Sequence, residues 1–174
     1  MGGPALIDGE HVEGTDNFLI APFVIDGLTH QSCEHYFQWA KFASAIDAYS
    51  VQHCEAIRQC PTGGKVWQMG QSRRATMRPD WEVVKANVMY RAVSAKMEQH
   101  PKLAAELAAT SGAIRAAPST ADWQHVNGLI LERVREECRP PESRGDPKRY
   151  AALVALTEPP VPLVVDGREL RIGC

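Results

Sequence analysis

No stretch of this 174-residue chain approaches the roughly 20 consecutive apolar residues that a membrane-spanning helix requires. The N-terminus has neither a basic segment nor an apolar one, which reads against a secretory signal, and Leu6 stands where a myristoylation motif wants Ser or Thr. Cysteine is scarce: five residues with no CxxC pair and no zinc-knuckle spacing read as free thiols in a cytoplasmic protein. The six histidines form no HxxxH or HExxH, and Cys33-Glu34-His35 is not a metal signature, so neither a metal nor a cofactor is expected. An excess of positive charge is also missing. With a formal net charge of -2, a long grip on phosphates is excluded, leaving a single nucleotide or the end of a strand as a nucleic-acid partner.

What is present is an ordinary globular composition, 44% hydrophobic and 23% charged, at a length suited to one domain. Asp-Gly sits between short apolar runs at 5–13, 23–30 and 163–170, which predicts three hairpins. Between the first two lies a polar loop, Gly14-Thr15-Asp16-Asn17-Phe18. Helices are predicted at 32–47, 51–59, 81–99, 101–110 and 127–137, with Ser32 and Asp80 placed to cap the first and third of these. A short helical piece opens at Thr62-Gly63-Gly64 and carries Lys65. Beyond Cys138 the composition shifts to RPPESRGDPKR, which reads as a linker or surface loop. The division expected is a compact domain over 1–138 and an appendage over 139–174, linker plus hairpin, docked upon it.

The stretch HQSCEHYFQWAKF at 30–42 is unusual for a surface helix. Glu34, Gln38 and Lys41 fall at i, i+4 and i+7 and share one face. Tyr36, Phe37, Trp39, Ala40, Ala43 and Ile46 take up most of the rest of the circumference. The alternative for this stripe is a solvated face that stabilises little. Arg73-Arg74 could meet a diphosphate or simply face solvent, Asp122-Trp123 could read a base or sit as a core Trp with its cap, and Asn17-Phe18 could contact a ribose or form an Asx turn.

NFLIAPFVIDG, SCEHYFQWAKF, RPDWEVVKANVMYRAVSAKMEQHPKL and Trp123 with the GLILERVREE helix occur in that order between Asp16 and Glu137. In these pieces the chain resembles the NADAR or YbiA-like superfamily. The resemblance implies a compact, mainly helical α+β fold with short β-hairpins, and cleavage of N-glycosidic bonds to ribose. Activities known in the family are removal of ADP-ribose from guanine bases, as in antitoxin partners of DarT-type toxins, and cleavage of ribosylated pyrimidine intermediates of riboflavin synthesis.

Carried onto this chain, the family's functional carboxylate falls on Glu34, its loop Asn on Asn17, its helix Lys on Lys41, its later Lys on Lys65 and its aromatic on Trp123. One segment departs from the pattern. Thr120 stands where the family has Asp, Asp122 lies two residues further on, and the loop after the Trp is shortened, with His125 and Asn127 nearby. The expected catalytic set is therefore Glu34, Lys41, Lys65 and Asp122, and the expected substrate contacts are Asn17, Phe18, His35, Gln38, Arg73 and Trp123. The expected ligand is ADP-ribose or a ribosylated base, free or within ADP-ribosylated DNA or RNA. Readings from other classes are a non-catalytic ADP-ribose-binding module and an interaction module acting through the tail.

Overall fold

The structure is a computed structural model that describes residues 2–120 and 123–158, together with the short strands Val164–Val165 and Arg168–Glu169. The fold is α+β and mainly helical. Two antiparallel hairpins open the chain, β1 (Ala5–Ile7) with β2 (Glu10–Val12) and β3 (Phe23–Ile25) with β4 (Leu28–His30). Their turns have the expected chemistry: Asp8 and Gly9, then Asp26 and Gly27, all have positive φ, the backbone of a tight type I′ reversal. The later strands β5 (Val164–Val165) and β6 (Arg168–Glu169) pair antiparallel as well.

Helix α4 (Trp81–Gln99) is the central post, packing against α1 (Cys33–Ala40), α5 (Pro101–Ala109), α6 (Trp123–Cys138), α7 (Pro147–Thr157) and β3. Its bounds coincide with those predicted. Trp81, Val84, Val88, Met89, Ala92 and Val93 are buried in the main apolar core with Tyr36, Phe37, Ile130 and Val134. A second, smaller core of Phe42, Ile57, Val66 and Cys60 lies among the end of α1, α2 (Ala48–Gln59) and α3 (Gly63–Met69). Trp39 packs against both.

Four expectations need correcting. Helix α1 ends at Ala40 rather than near 47, because Phe42 N–H turns back to the Trp39 carbonyl (3.0 Å) and Ala45 N–H to that of Phe42 (3.0 Å). Ile46 is consequently 89% exposed, and Asp47 caps α2 through Ser50 N–H at 2.9 Å. Asp80 makes no capping bond; its carboxylate is taken by Arg78, with Nε at 2.5 Å and Nη2 at 2.7 Å, and both side chains are buried. Helix α6 starts at Trp123, four residues early, and turns Leu129 only partly inward. After the charged stretch, α7 forms where the composition gave no helical signal. Thr157 Oγ1, from its last turn, meets the Arg133 guanidinium, and its carbonyl accepts from Asn87 Nδ2 at 2.5 Å.

His30 closes β4 inside an aromatic box, edge-on to Tyr36 and Trp39 at 5.2 Å each, with both ring nitrogens buried and without partners among the described residues. Burial, aided by the Arg58 and His35 charges, lowers its pKa to about 4 against the partial opposition of Asp26. A depressed folded-state pKa means that the unfolded chain binds the proton more tightly. The corresponding stability is fully present above about pH 6.5 and is lost as the pH falls toward 4, to the extent of about 3 kcal/mol. Urea unfolding at pH 7.5 and 4.5 should therefore show a larger acid loss in the wild type than in His30→Phe. Equal losses would rule out His30 as the source.

Candidate active site

The loop before β3 is fastened to the body by its own polar groups. Thr15 Oγ1 accepts from Ala5 N–H (2.7 Å), and Asp16 Oδ1 accepts from both Gly3 N–H (2.7 Å) and Phe18 N–H (2.8 Å). The Asp16 carbonyl receives Lys96 Nζ at 3.0 Å, and the Asn17 carbonyl receives Glu34 N–H at 3.0 Å. This loop therefore docks on the first turn of α1, which Ser32 caps by accepting His35 N–H at 3.4 Å. Lys96 is fully buried and was not anticipated. The signal was present: it follows Val88 and Ala92 at steps of four on the apolar face of α4.

Glu34 and Gln38 are buried, not solvated, at 0% and 2% exposure. Gln38 Nε2 donates to Glu34 Oε1 at 2.7 Å, while Glu34 Oε2 and Gln38 Oε1 are buried with no hydrogen-bond partner among the described residues. Lys41, the C-cap of α1, keeps a helical backbone and so stays on the same side, where its Nζ donates to the Gly70 carbonyl at 2.7 Å. Burial raises the Glu34 pKa, although the Gln38 hydrogen bond and Lys41 work against the rise. Burial also lowers the Lys41 pKa, opposed by Glu82 and Glu34. The low polarity of one region thus moves an acid and an amine toward their neutral forms.

Phe18 lies against the start of α3, since a Cβ on Gly63 would stand 2.8 Å from its ring. Trp123 is half-buried and packs edge-on against Phe37 at 5.1 Å; Phe37 is three residues beyond Glu34, which links the Trp to the same helix. Lys85 Nζ lies 5.9 Å from the Trp123 ring centre and is paired with Glu82, a charged cluster that sequence reasoning missed.

Three of the other expected residues have described surroundings. Lys65 is exposed in the first turn of α3, its N–H bound to Thr62 Oγ1 at 3.4 Å. The His35 ring is occupied on both sides, Nδ1 by Ser32 Oγ (2.7 Å) and Nε2 by the Cys60 carbonyl (2.8 Å), so the fold uses it. Arg73 is exposed at a bend, and neighbouring Arg74 stacks on Tyr49 at 3.9 Å. Asp122 lies outside the described residues. A cleft of about 760 Å³ on the other flank of α6, between Arg115, His125, Arg135 and Arg149, includes none of the Glu34 group. Among the described residues no cluster of His, Cys, Asp and Glu could hold a metal, and no helix is long and apolar enough to cross a membrane.

The helical fold with its two opening hairpins and the buried acid on α1 define a class. Residues 10–125 match the NADAR domain model, and the chain belongs to the NADAR family. Its relatives include the protein named N-glycosidase YbiA of Escherichia coli, 39% identical over 131 residues that cover 70% of this chain and 78% of that protein. The counterpart of the same name in Shigella boydii is also 39% identical over 131 residues. The NMR structure of E. coli YbiA superposes with a TM-score of 0.57 at 31% identity, covering 72% of this chain and 77% of that one. A more distant relative, the maize chloroplast riboflavin biosynthesis protein PYRR, is 29% identical over 126 residues, which cover 64% of this chain and 20% of that protein.

Proposed function

We propose that this chain is an N-glycosidase that removes ADP-ribose from guanine bases in nucleic acids or nucleosides. The observation that carries the reading is a buried carboxyl and a half-buried amine on one face of α1, the carboxyl with its pKa raised by burial and the amine with its pKa lowered by burial. Cleavage of a ribosylated amino group needs a proton on the sugar ring oxygen or on the departing nitrogen, together with relief of positive charge at C1′. Protonated Glu34 delivers the proton to the ring oxygen, the C1′–O bond opens, and C1′ becomes an imine to the base nitrogen. The neutral form of Lys41 adds to that carbon, a proton of the attacking amine passes to the base nitrogen, the C1′–N bond to the base breaks, and a protonated sugar–lysine Schiff base remains. Water adds to this imine and its C–N bond breaks, releasing ADP-ribose, restoring the amine and returning a proton to the Glu34 carboxylate. The net reaction is hydrolysis.

Lys41 is better suited to this role than Lys65, because it stands half-buried on the face of α1 that carries Glu34, whereas Lys65 is exposed on α3. Trp123 supplies a face for the base, Asn17 and Phe18 bound the sugar, and Asp122 is the remaining acid for activating water. The test is incubation with a short oligonucleotide carrying ADP-ribosylated guanosine. Release of free ADP-ribose is expected, and absence of release would defeat the reading.

A second substrate, a ribosylaminopyrimidine phosphate of the riboflavin pathway, is favoured by the similarity to the maize protein. It shares the amino-linked ribose, and the same chemistry would cleave it. Parallel assays of the two compounds at equal concentration decide between them by the ratio of kcat/KM.

A further inference from the structure

We infer that Gly70 is a positioning residue for the acid: its missing side chain makes the space in which Gln38 must lie to reach Glu34. The inference rests on the reading of Glu34 as the acid of the site. Gly70 is the C-cap of α3, with φ -62° and ψ -11°. That is right-handed helical backbone open to any L-residue, so the conformation does not call for glycine. Neither does exposure, because Gly70 is buried. What calls for glycine is the neighbour. A Cβ built there would lie 2.9 Å from Gln38 Cγ and closer still to Cδ and Oε1. The clashing atoms are the end of a side chain that is only 2% exposed, so it can move out of the way only by changing its place in the core.

Two bonds meet at this point. Gln38 Nε2 reaches Glu34 Oε1 at 2.7 Å, and the Gly70 carbonyl holds Lys41 Nζ at 2.7 Å. The C-cap of α3 thus backs the amide that donates to the acid and anchors the amine of Lys41. Donation from Gln38 favours ionised Glu34, whereas burial favours the neutral acid. The resulting balance depends on whether the amide stays where Gly70 allows it. Gly70→Ala keeps the carbonyl that binds Lys41 and adds only the methyl group that evicts Gln38, so it separates the two functions.

The experiment follows the carboxyl of Glu34 by ¹³C NMR titration of side-chain-labelled glutamate, assigned by the loss of its signal in Glu34→Gln. This readout needs no substrate, so it stands whether or not the ADP-ribose assay succeeds. Removing a hydrogen bond to a charged group should raise the Glu34 pKa by about one unit or more in Gly70→Ala. Gln38→Ala should give a similar rise, and the double variant should match Gln38→Ala alone, because the methyl then has nothing to displace. Where the enzyme is active, the limb of the pH–rate profile that reports loss of the Glu34 proton moves to higher pH in step. An unchanged pKa in Gly70→Ala, or shifts that add in the double variant, would overturn the inference. Should Gly70→Ala fail to fold, Gln38→Ala with Gly70→Ala should restore folding; failure of both would overturn it equally.

Discussion

Glu34→Gln is expected to abolish most turnover while leaving the protein at least as stable as the wild type. The carboxyl is wholly buried, and its Oε2 has no hydrogen-bond partner among the described residues. Burial works against its charge, and a neutral amide of the same shape removes that cost while its carbonyl can still accept from Gln38 Nε2. What the amide cannot do is give up a proton to the sugar ring oxygen. Loss of a positioned acid typically costs on the order of 10²- to 10⁴-fold in rate. The measurement is kcat with the released sugar quantified, beside Tm by calorimetry. A variant that turns over at the wild-type rate would remove Glu34 from the mechanism, and a large fall in Tm would mean that the carboxylate serves the fold instead.

Asp80→Ala should be the most damaging substitution for stability. Arg78 and Asp80 form a two-pronged pair with side-chain exposures of 6% and 5%, so removing the acid strands a buried guanidinium. Breaking such a pair typically costs about 3–5 kcal/mol, a large share of the roughly 5–15 kcal/mol that holds a domain together. The damage reaches the site, because Arg78 N–H donates to the Lys41 carbonyl at 3.0 Å and so fixes the backbone from which the amine extends. Urea denaturation should show the loss, and Arg78→Met combined with Asp80→Leu should recover most of it by replacing both charges with apolar groups. A loss under about 1 kcal/mol in Asp80→Ala would mean that the pair is relaxed in solution.

Where sequence and structure agree, the cause is a local rule acting without competition. Asp-Gly specifies its turn whatever surrounds it, and the spacing of Trp81, Val84, Val88 and Ala92 has one helical solution. Asp80 shows how a local rule loses: its carboxylate could cap α4, but a guanidinium two residues earlier offers two bonds and a charge. The stripe on α1 was legible as a face but not as an interior. Periodicity says which residues point the same way, and only the packing of the Asn17 loop and of Gly70 says that water is kept from them. Lys41 and Lys65 look alike in sequence; one donates to a carbonyl of α3 from a half-buried position and the other stands in water. Lys96 was hidden by habit, since a lysine near a helix end is ordinarily assigned to solvent.

That buried lysine also has a bearing on time. Its bond to the Asp16 carbonyl joins residues 80 positions apart, whereas the Glu34–Gln38 bond is local to one helix. Contacts that close long loops carry the larger entropic cost, and local ones form readily. A nascent α1 can thus display its stripe while Glu34 is still an ordinary surface carboxylate, ionised at neutral pH. The residue reaches its buried state only when the far end of α4 has arrived to fasten the loop docked on α1, which makes the raised pKa of that carboxyl a late product of folding.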